Sequence, residues 1–286
     1  MLKEIARNKA FEGYVIKYEH LSTELNCSMK FNVFLPKESE KAAVPAVYFL
    51  SGLTCTEDNF IHKSGAVVEA ARHGVALVAP DTSPRGVSIE GDEDSWDFGT
   101  GDCQSAGFYV DATEPRWANH YRMYSYIVRE LPHLIHTELP IDGSRVSIMG
   151  HSMGGHGALT IFLRNPGQFK TVSAFSPISH PIECPWGKKA FGGYLGPDKE
   201  TWKQYDTVEL LSTLEKERKM DVLVDVGSSD AFLDSQLCVD VLKEKVHALG
   251  LDEQWKIRLQ EGYDHSYYFI STFIADHIQH HVKALK

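Results

Sequence analysis

An α/β architecture is what this sequence predicts: a mostly parallel central sheet, antiparallel strands at its N-terminal side, and helices on both faces. Three observations carry it. Short continuous apolar runs recur at 46–50, 75–79, 145–149, 171–175, 221–226 and 254–259, as in strands buried on both faces of a parallel sheet. Helix-compatible segments fall between or after them at 65–72, 121–135, 152–164, 234–249 and 265–284, the crossovers that parallel strands need. The beginning differs. Residues 13–18 and 29–35 form closely spaced candidate strands, the second alternating with period two, which predicts antiparallel pairing.

Composition bounds the rest. The 286 residues are 43% hydrophobic and 24% charged, ordinary for a globular chain. No repeat, low-complexity tract or linker interrupts them, so one domain over 1–286 is expected. No apolar run is long enough to cross a bilayer. The first eight residues mix charges and lack the apolar centre of a signal peptide. A cytoplasmic location without membrane attachment is therefore expected. Five cysteines (Cys27, Cys55, Cys103, Cys184, Cys238) are scattered and never form C-x-x-C, against a disulfide framework or zinc knuckle. The formal charge of -10, with no Lys/Arg cluster, argues against a nucleic-acid partner. It leaves room for a small anionic substrate held by a local cation.

The chemistry is concentrated at Gly150-His151-Ser152-Met153-Gly154, a G-x-S-x-G pattern between an apolar run and a helix-compatible segment. A tight strand-to-helix turn strains the serine backbone and exposes its hydroxyl, and flanking side chains would collide in such a turn. With antiparallel strands first and alternation after, this context predicts the α/β-hydrolase fold.

A serine hydroxyl needs a base, and the base needs an orienting acid. In that fold the chain order is serine, acid, histidine. Beyond the elbow's own helix the candidate bases are His180, His247, His265, His277, His280 and His281. His265 follows the last predicted strand and opens the final helix, where the base belongs. His247 reads as a solvated helix position. His277, His280 and His281, near Lys283 and Lys286, read as an exposed helix face rather than a metal site. Asp230, in the loop after the strand at 221–226, is the preferred acid. Asp225 within that strand is the runner-up, and Asp234 falls near the start of the next helix. His151 and His156 flank the turn too closely to reach Ser152 as bases, so packing or substrate contact is expected of them.

An oxyanion hole needs two backbone N–H donors. Met153, directly after the nucleophile, should supply one. Leu53, in Ser51-Gly52-Leu53-Thr54-Cys55-Thr56 after an early strand, should supply the other.

With these positions in place, the chain resembles the S-formylglutathione hydrolase (esterase D) family over nearly its full length. The resemblance is carried by residues 51–56, by Ala79-Pro80-Asp81-Thr82-Ser83-Pro84-Arg85-Gly86 and by Gly107-Phe108-Tyr109-Val110-Asp111-Ala112-Thr113. It extends to 150–157, Cys184-Pro185-Trp186-Gly187-Lys188-Lys189-Ala190-Phe191 and Glu261-Gly262-Tyr263-Asp264-His265-Ser266-Tyr267-Tyr268. It implies a Ser152–Asp230–His265 triad and hydrolysis of a glutathione thioester to formate and glutathione, the late step of formaldehyde detoxification. No metal or organic cofactor is implied, and a homodimer is suggested by resemblance only. Asp102-Cys103-Gln104-Ser105 departs from the family pattern as an apparent loop insertion that could border the site. Glutathione carries two carboxylates, for which Lys188 and Lys189 beside Trp186 are candidate anchors and Trp186 a candidate pocket wall. Cys55, near Leu53, is a candidate redox brake. Competing readings are a general carboxylesterase on small acyl esters, a binding scaffold without turnover, and an acyltransferase.

Overall fold

The computed structural model describes residues 1–87, 89, 107–215 and 218–286. Nine strands form one sheet in the order β1-β2-β3-β5-β4-β6-β7-β8-β9. They are β1 (Lys3–Ala10), β2 (Gly13–Ser22), β3 (Cys27–Leu35), β4 (Val44–Leu50), β5 (Ala76–Pro80), β6 (Ile141–His151), β7 (Val172–Phe175), β8 (Val222–Gly227) and β9 (Trp255–Gln260). Pairing is antiparallel from β1 through β3 to β5 and parallel from β5 through β4 to β9. This is the α/β-hydrolase arrangement the sequence predicts.

Every residue of β4, β5, β7 and β8 is buried, the physical reason their sequences read as continuous apolar runs. Alternate residues feed opposite cores. Ala46, Tyr48 and Leu50 of β4 join one hydrophobic cluster, while Val47 and Phe49 join the other. The second cluster takes its helical residues from Glu57–Lys63, Ala66–His73 and Tyr267–Leu285, and the first from helices such as Met153–Arg164 and Pro185–Leu195.

Three elements differ from the expected pattern. β1 has no apolar alternation because it is the exposed edge of the sheet, where charge protects against further pairing. The helix expected over 121–135 is a short helix Met123–Ser125, a wide π turn Tyr126–Glu130 and a helix Leu131–Glu138. Pro132 has no N–H to give the Val128 carbonyl, and Gln168 Nε2 donates to that carbonyl instead at 2.8 Å. The helix expected over 234–249 breaks at Cys238, whose φ of 51° is left-handed, so Val239–Ala248 follows a separate π turn Leu233–Leu237.

Candidate active site

The chain runs from β4 outward to β5, then returns past β4 to β6. At such a reversal a crevice opens beyond the strands' C-terminal ends, where open α/β sheets bind ligands. Here β4 leads into a turn at 52–55 and β6 leads into Ser152.

Ser152 has φ 58° and ψ -119°, a backbone state that persists only when its surroundings hold it. Its N–H donates to Phe175 O at 2.9 Å, and its carbonyl accepts from His156 N at 3.0 Å and Ile178 N at 3.3 Å. The flanking glycines are obligatory: a Cβ at Gly150 would lie 2.1 Å from Gly154 O, and one at Gly154 would lie 1.9 Å from Leu50 O. Met153 opens the helix Met153–Arg164, so its N–H belongs to the first turn, which has no intrahelical acceptor.

His265 lies between β9 and the final helix. Its Nδ1 is 2.6 Å from Asp230 Oδ2. Asp230 also accepts from Ser176 Oγ at 2.8 Å and Phe232 N at 2.9 Å. Burial raises the Asp230 carboxyl, but the His265, Phe232 and Ser176 hydrogen bonds outweigh it and hold the group below the usual carboxylate range. An ionised Asp230 can only accept, so Nδ1 of His265 carries the proton and Nε2 is left free for chemistry. The acid and base loops are also joined through their backbones, Ser229 N donating to Tyr263 O at 2.9 Å. Gly227 permits that approach, since a Cβ there would lie 2.1 Å from Tyr263 O.

A cavity of about 290 Å³ is walled by the 52–55 turn, His151, Ser152, Trp186, Phe232 and His265. The wall contains no lysine or arginine among the described residues. His151 packs on His265 with ring centroids 4.5 Å apart, and burial, then the neighbouring imidazole, push its pKa well below the ordinary value. Trp186 and Phe232 rings meet at 4.8 Å, and Phe232 sits edge-on to His265 at 5.0 Å.

Not every candidate converges here. Lys188 does not line the cavity; its ammonium is 3.0 Å from Glu183. Cys55 does line it, and burial raises its thiol pKa, which works against the thiolate a redox brake requires. Asp225 is fully buried under the sheet, where Arg258 Nε donates to it at 2.6 Å. Asp234 is exposed in the π turn. His180 pairs with Asp206 at 3.0 Å and exposed His247 with Asp252 at 3.3 Å. His156 is fully buried, its Nε2 donating to Phe108 O at 3.0 Å. The segment Asp102–Cys103–Gln104–Ser105 lies outside the described residues.

The expectation that His277, His280 and His281 form an exposed face is corrected: all three are buried. The physical reason is a polar stripe on β7 and the residue preceding it. Thr171 and Ser173 point to the same side and meet the helix face bearing residues 277 and 281. His281 lies 2.6 Å from Thr171 Oγ1 and 2.9 Å from Ser173 Oγ. His277 lies 2.8 Å from Ser173 Oγ and 3.3 Å from Asp225 Oδ2. Among the described residues no group of three or more His, Cys, Asp or Glu side chains is placed to hold a metal ion.

Phe232 and Ser176 are the site residues that sequence reasoning missed. Phe232 carries a faint signal, two residues beyond the acid. Ser176 carries none, because its contact with Asp230 depends on how β7 lies beside β8.

Residues 22–280 match the Esterase family model, described as "Putative esterase". An S-formylglutathione hydrolase from Rattus norvegicus is 54% identical over 286 residues, 99% of each chain. The one from Arabidopsis thaliana is 50% identical over 290 residues, 100% of this chain and 98% of the relative. Among solved structures, an S-formylglutathione hydrolase from Agrobacterium tumefaciens matches with a TM-score of 0.92 at 41% identity, over 99% of both chains.

Proposed function

The chain belongs to the S-formylglutathione hydrolase family of esterases, and from that premise we propose that it hydrolyses S-formylglutathione to formate and glutathione. Ser152 is the nucleophile, His265 the base, Asp230 the orienting acid, and the N–H groups of Leu53 and Met153 the oxyanion donors. The observation that carries this reading is the 2.6 Å His265–Asp230 contact beside the cavity that Ser152 and His265 both line.

Ser152 Oγ adds to the formyl carbon while His265 Nε2 takes its proton. The oxyanion accepts from Leu53 and Met153, and Asp230 stabilises the imidazolium. Collapse breaks the carbon–sulfur bond, and the departing sulfur takes the proton from His265. A thiolate leaves readily because thiols have pKa near ~8.5. Water then adds to the formyl-serine with His265 taking one of its protons, and the second collapse returns that proton to Ser152 and releases formic acid, which ionises to formate.

The test is kcat/KM for S-formylglutathione against short p-nitrophenyl esters, with Ser152→Ala as the blank. The thioester should be preferred. A preference for the simple esters would make the chain a general carboxylesterase, and no fluorophosphonate labelling of Ser152 would make it a scaffold.

The same reading places the reaction at the end of glutathione-dependent formaldehyde removal. It proposes one domain, supported by two cores sharing one sheet. It proposes the cytoplasm, supported by Cys27, Cys55, Cys184 and Cys238 being free thiols, as in reducing compartments. No described helix is long and apolar enough to cross a membrane. A homodimer is proposed on resemblance alone.

A further inference from the structure

We propose that Thr82 and Arg85 are positioning residues for the oxyanion hole: they clamp the Cys55 carbonyl and thereby hold the 52–55 turn that presents the Leu53 N–H. The proposal rests on the reading of Leu53 as an oxyanion donor.

The turn is closed by one hydrogen bond, Cys55 N to Gly52 O at 3.3 Å. That bond leaves the Leu53 N–H unused, as the chemistry requires. Thr54 within it has φ 63°, a state that non-glycine residues seldom adopt unaided. Such a turn needs support from outside. At its leading end, Gly52 packs so tightly that a Cβ would lie 3.1 Å from Ser152 Cβ, and Tyr109 donates its hydroxyl to Ser51 O at 2.9 Å.

At the trailing end, the Cys55 carbonyl accepts from Thr82 Oγ1 at 2.6 Å and from Arg85 Nη2 at 3.2 Å. Both donors come from the loop after β5, the strand beside β4. They are themselves fixed. Arg85 Nε and Nη2 reach the buried Asp81 carboxylate at 3.0 Å and 2.7 Å, and Thr82 N donates to the same carboxylate at 2.7 Å. Thr82 is fully buried. Beyond the turn, the chain is caught at once by the Thr56–Asn59 capping box and by Asn32 Nδ2 on Glu57 O at 3.0 Å.

Neither Thr82 nor Arg85 is among the residues lining the cavity, so neither touches the reacting atoms. Their effect passes through the Cys55 carbonyl to the turn. An oxyanion donor acts only at about 2.7–3.1 Å from the developing charge. A small drift of the turn therefore weakens the transition state and leaves ground-state binding intact.

Thr82→Val removes the hydroxyl at nearly constant volume, Thr82→Ser restores it, and Arg85→Lys keeps charge without the fork that spans Asp81 and Cys55. The readouts are kcat and KM for S-formylglutathione, and Ki for a trifluoromethyl ketone, whose tetrahedral adduct reports on the oxyanion hole. Thr82→Val should lower kcat about tenfold to hundredfold, raise Ki by the same factor and leave KM within about twofold. Thr82→Ser should recover both, and Arg85→Lys should fall between. Values of kcat and Ki within about twofold of wild type, whatever happens to the melting point, would overturn the clamp. So would KM and Ki rising together. If Thr82→Val does not fold, an unchanged Ki in Arg85→Lys is the overturning result. Wild-type enzyme that neither labels with a fluorophosphonate nor binds the ketone would instead remove the serine-hydrolase reading itself.

Discussion

One Asp–His–Ser grouping lies beyond the C-terminal end of β8 and another between the sheet and the final helix. In one, Asp230 meets Nδ1 of His265 at 2.6 Å, Nε2 is left free, and Ser152 shares a cavity with the ring. In the other, Asp225 meets Nε2 of His277 at 3.3 Å while Ser173 contacts Nδ1 at 2.8 Å. The second set has all the residue types of a serine hydrolase and a continuous hydrogen-bond chain. It extends through His281 to Thr171. Yet every group in it is spoken for: Arg258 neutralises Asp225, and Ser173 Oγ is shared by two imidazoles. His277 and Ser173 are fully buried, and Phe175 stacks on the His277 ring at 3.7 Å. The contrast teaches that side-chain identity does not make a nucleophile. What separates the two is a cavity, a strained serine with N–H groups beside it, and a carboxylate with no arginine to neutralise it.

Charge fixes the hydrogen-bond directions in the buried set. Burial lowers the pKa of His277 and pushes that of His281 well down, so both rings are neutral. Asp225 can only accept, so His277 carries its proton on Nε2 and takes a bond from the Ser173 hydroxyl on Nδ1. His281 Nε2–H then donates to Ser173, and the Thr171 hydroxyl donates to His281 Nδ1. Each of these four buried donors then has one acceptor.

The sharpest way to break this comparison is to remove each serine. Ser152→Ala should lower kcat by about 10⁴–10⁶-fold, and Ser173→Ala should leave kcat within about twofold while lowering the melting temperature. Comparable losses of kcat from both would erase the distinction. Exchanging each acid comes next. Asp230→Asn should cost about 10⁴-fold in kcat through the wrong His265 tautomer, with folding retained. Asp225→Asn should instead destabilise by about 2–3 kcal/mol, read by urea unfolding, because it strips a buried partner from Arg258 and His277. Arg258 is partly exposed, which keeps that figure at the low end.

The smallest effect is in pH. His156, lowered by burial to about 4, joins His277 and His281 as imidazoles that stay neutral in the fold and protonate more readily when unfolded. A depressed folded pKa contributes stability that is complete above the unfolded value of about 6.5. That stability is lost as pH falls from there through the folded values. The unfolding free energy from urea titration should therefore drop between pH 7 and pH 5, by up to about 1.4 kcal/mol per pH unit for each such ring. His281→Gln should flatten the slope. Asp225 and Asp230, both lowered on balance by hydrogen bonds that outweigh burial, add a further loss only below about pH 4. An unfolding free energy that is level from pH 7 to pH 5 would show the buried chain to be protonated already.

Much of the fold was legible because its signals are local. Continuous apolar runs mark β4, β5 and β8, and a collision within five residues dictates Gly150, whereas Gly154 is dictated by Leu50 O at the end of β4. The order serine, acid, histidine could also be read along the chain. The histidine run at 277–281 was misread because polar residues at helical spacing look alike whether they face water or a polar stripe on a strand. The stripe was visible in Thr171 and Ser173, but nothing local says that β7 lies under the last helix.

The sequence by itself determined the alternation of strands and helices, the elbow, and the residues able to supply nucleophile, base and acid, since short-range sterics and periodicity govern these. Tertiary structure alone decided which imidazole meets which carboxylate and which loop braces the 52–55 turn. Thr82–Cys55, His265–Asp230 and His277–Asp225 join residues 27, 35 and 52 positions apart. Strand order and register set such distances, and no neighbouring residue encodes them.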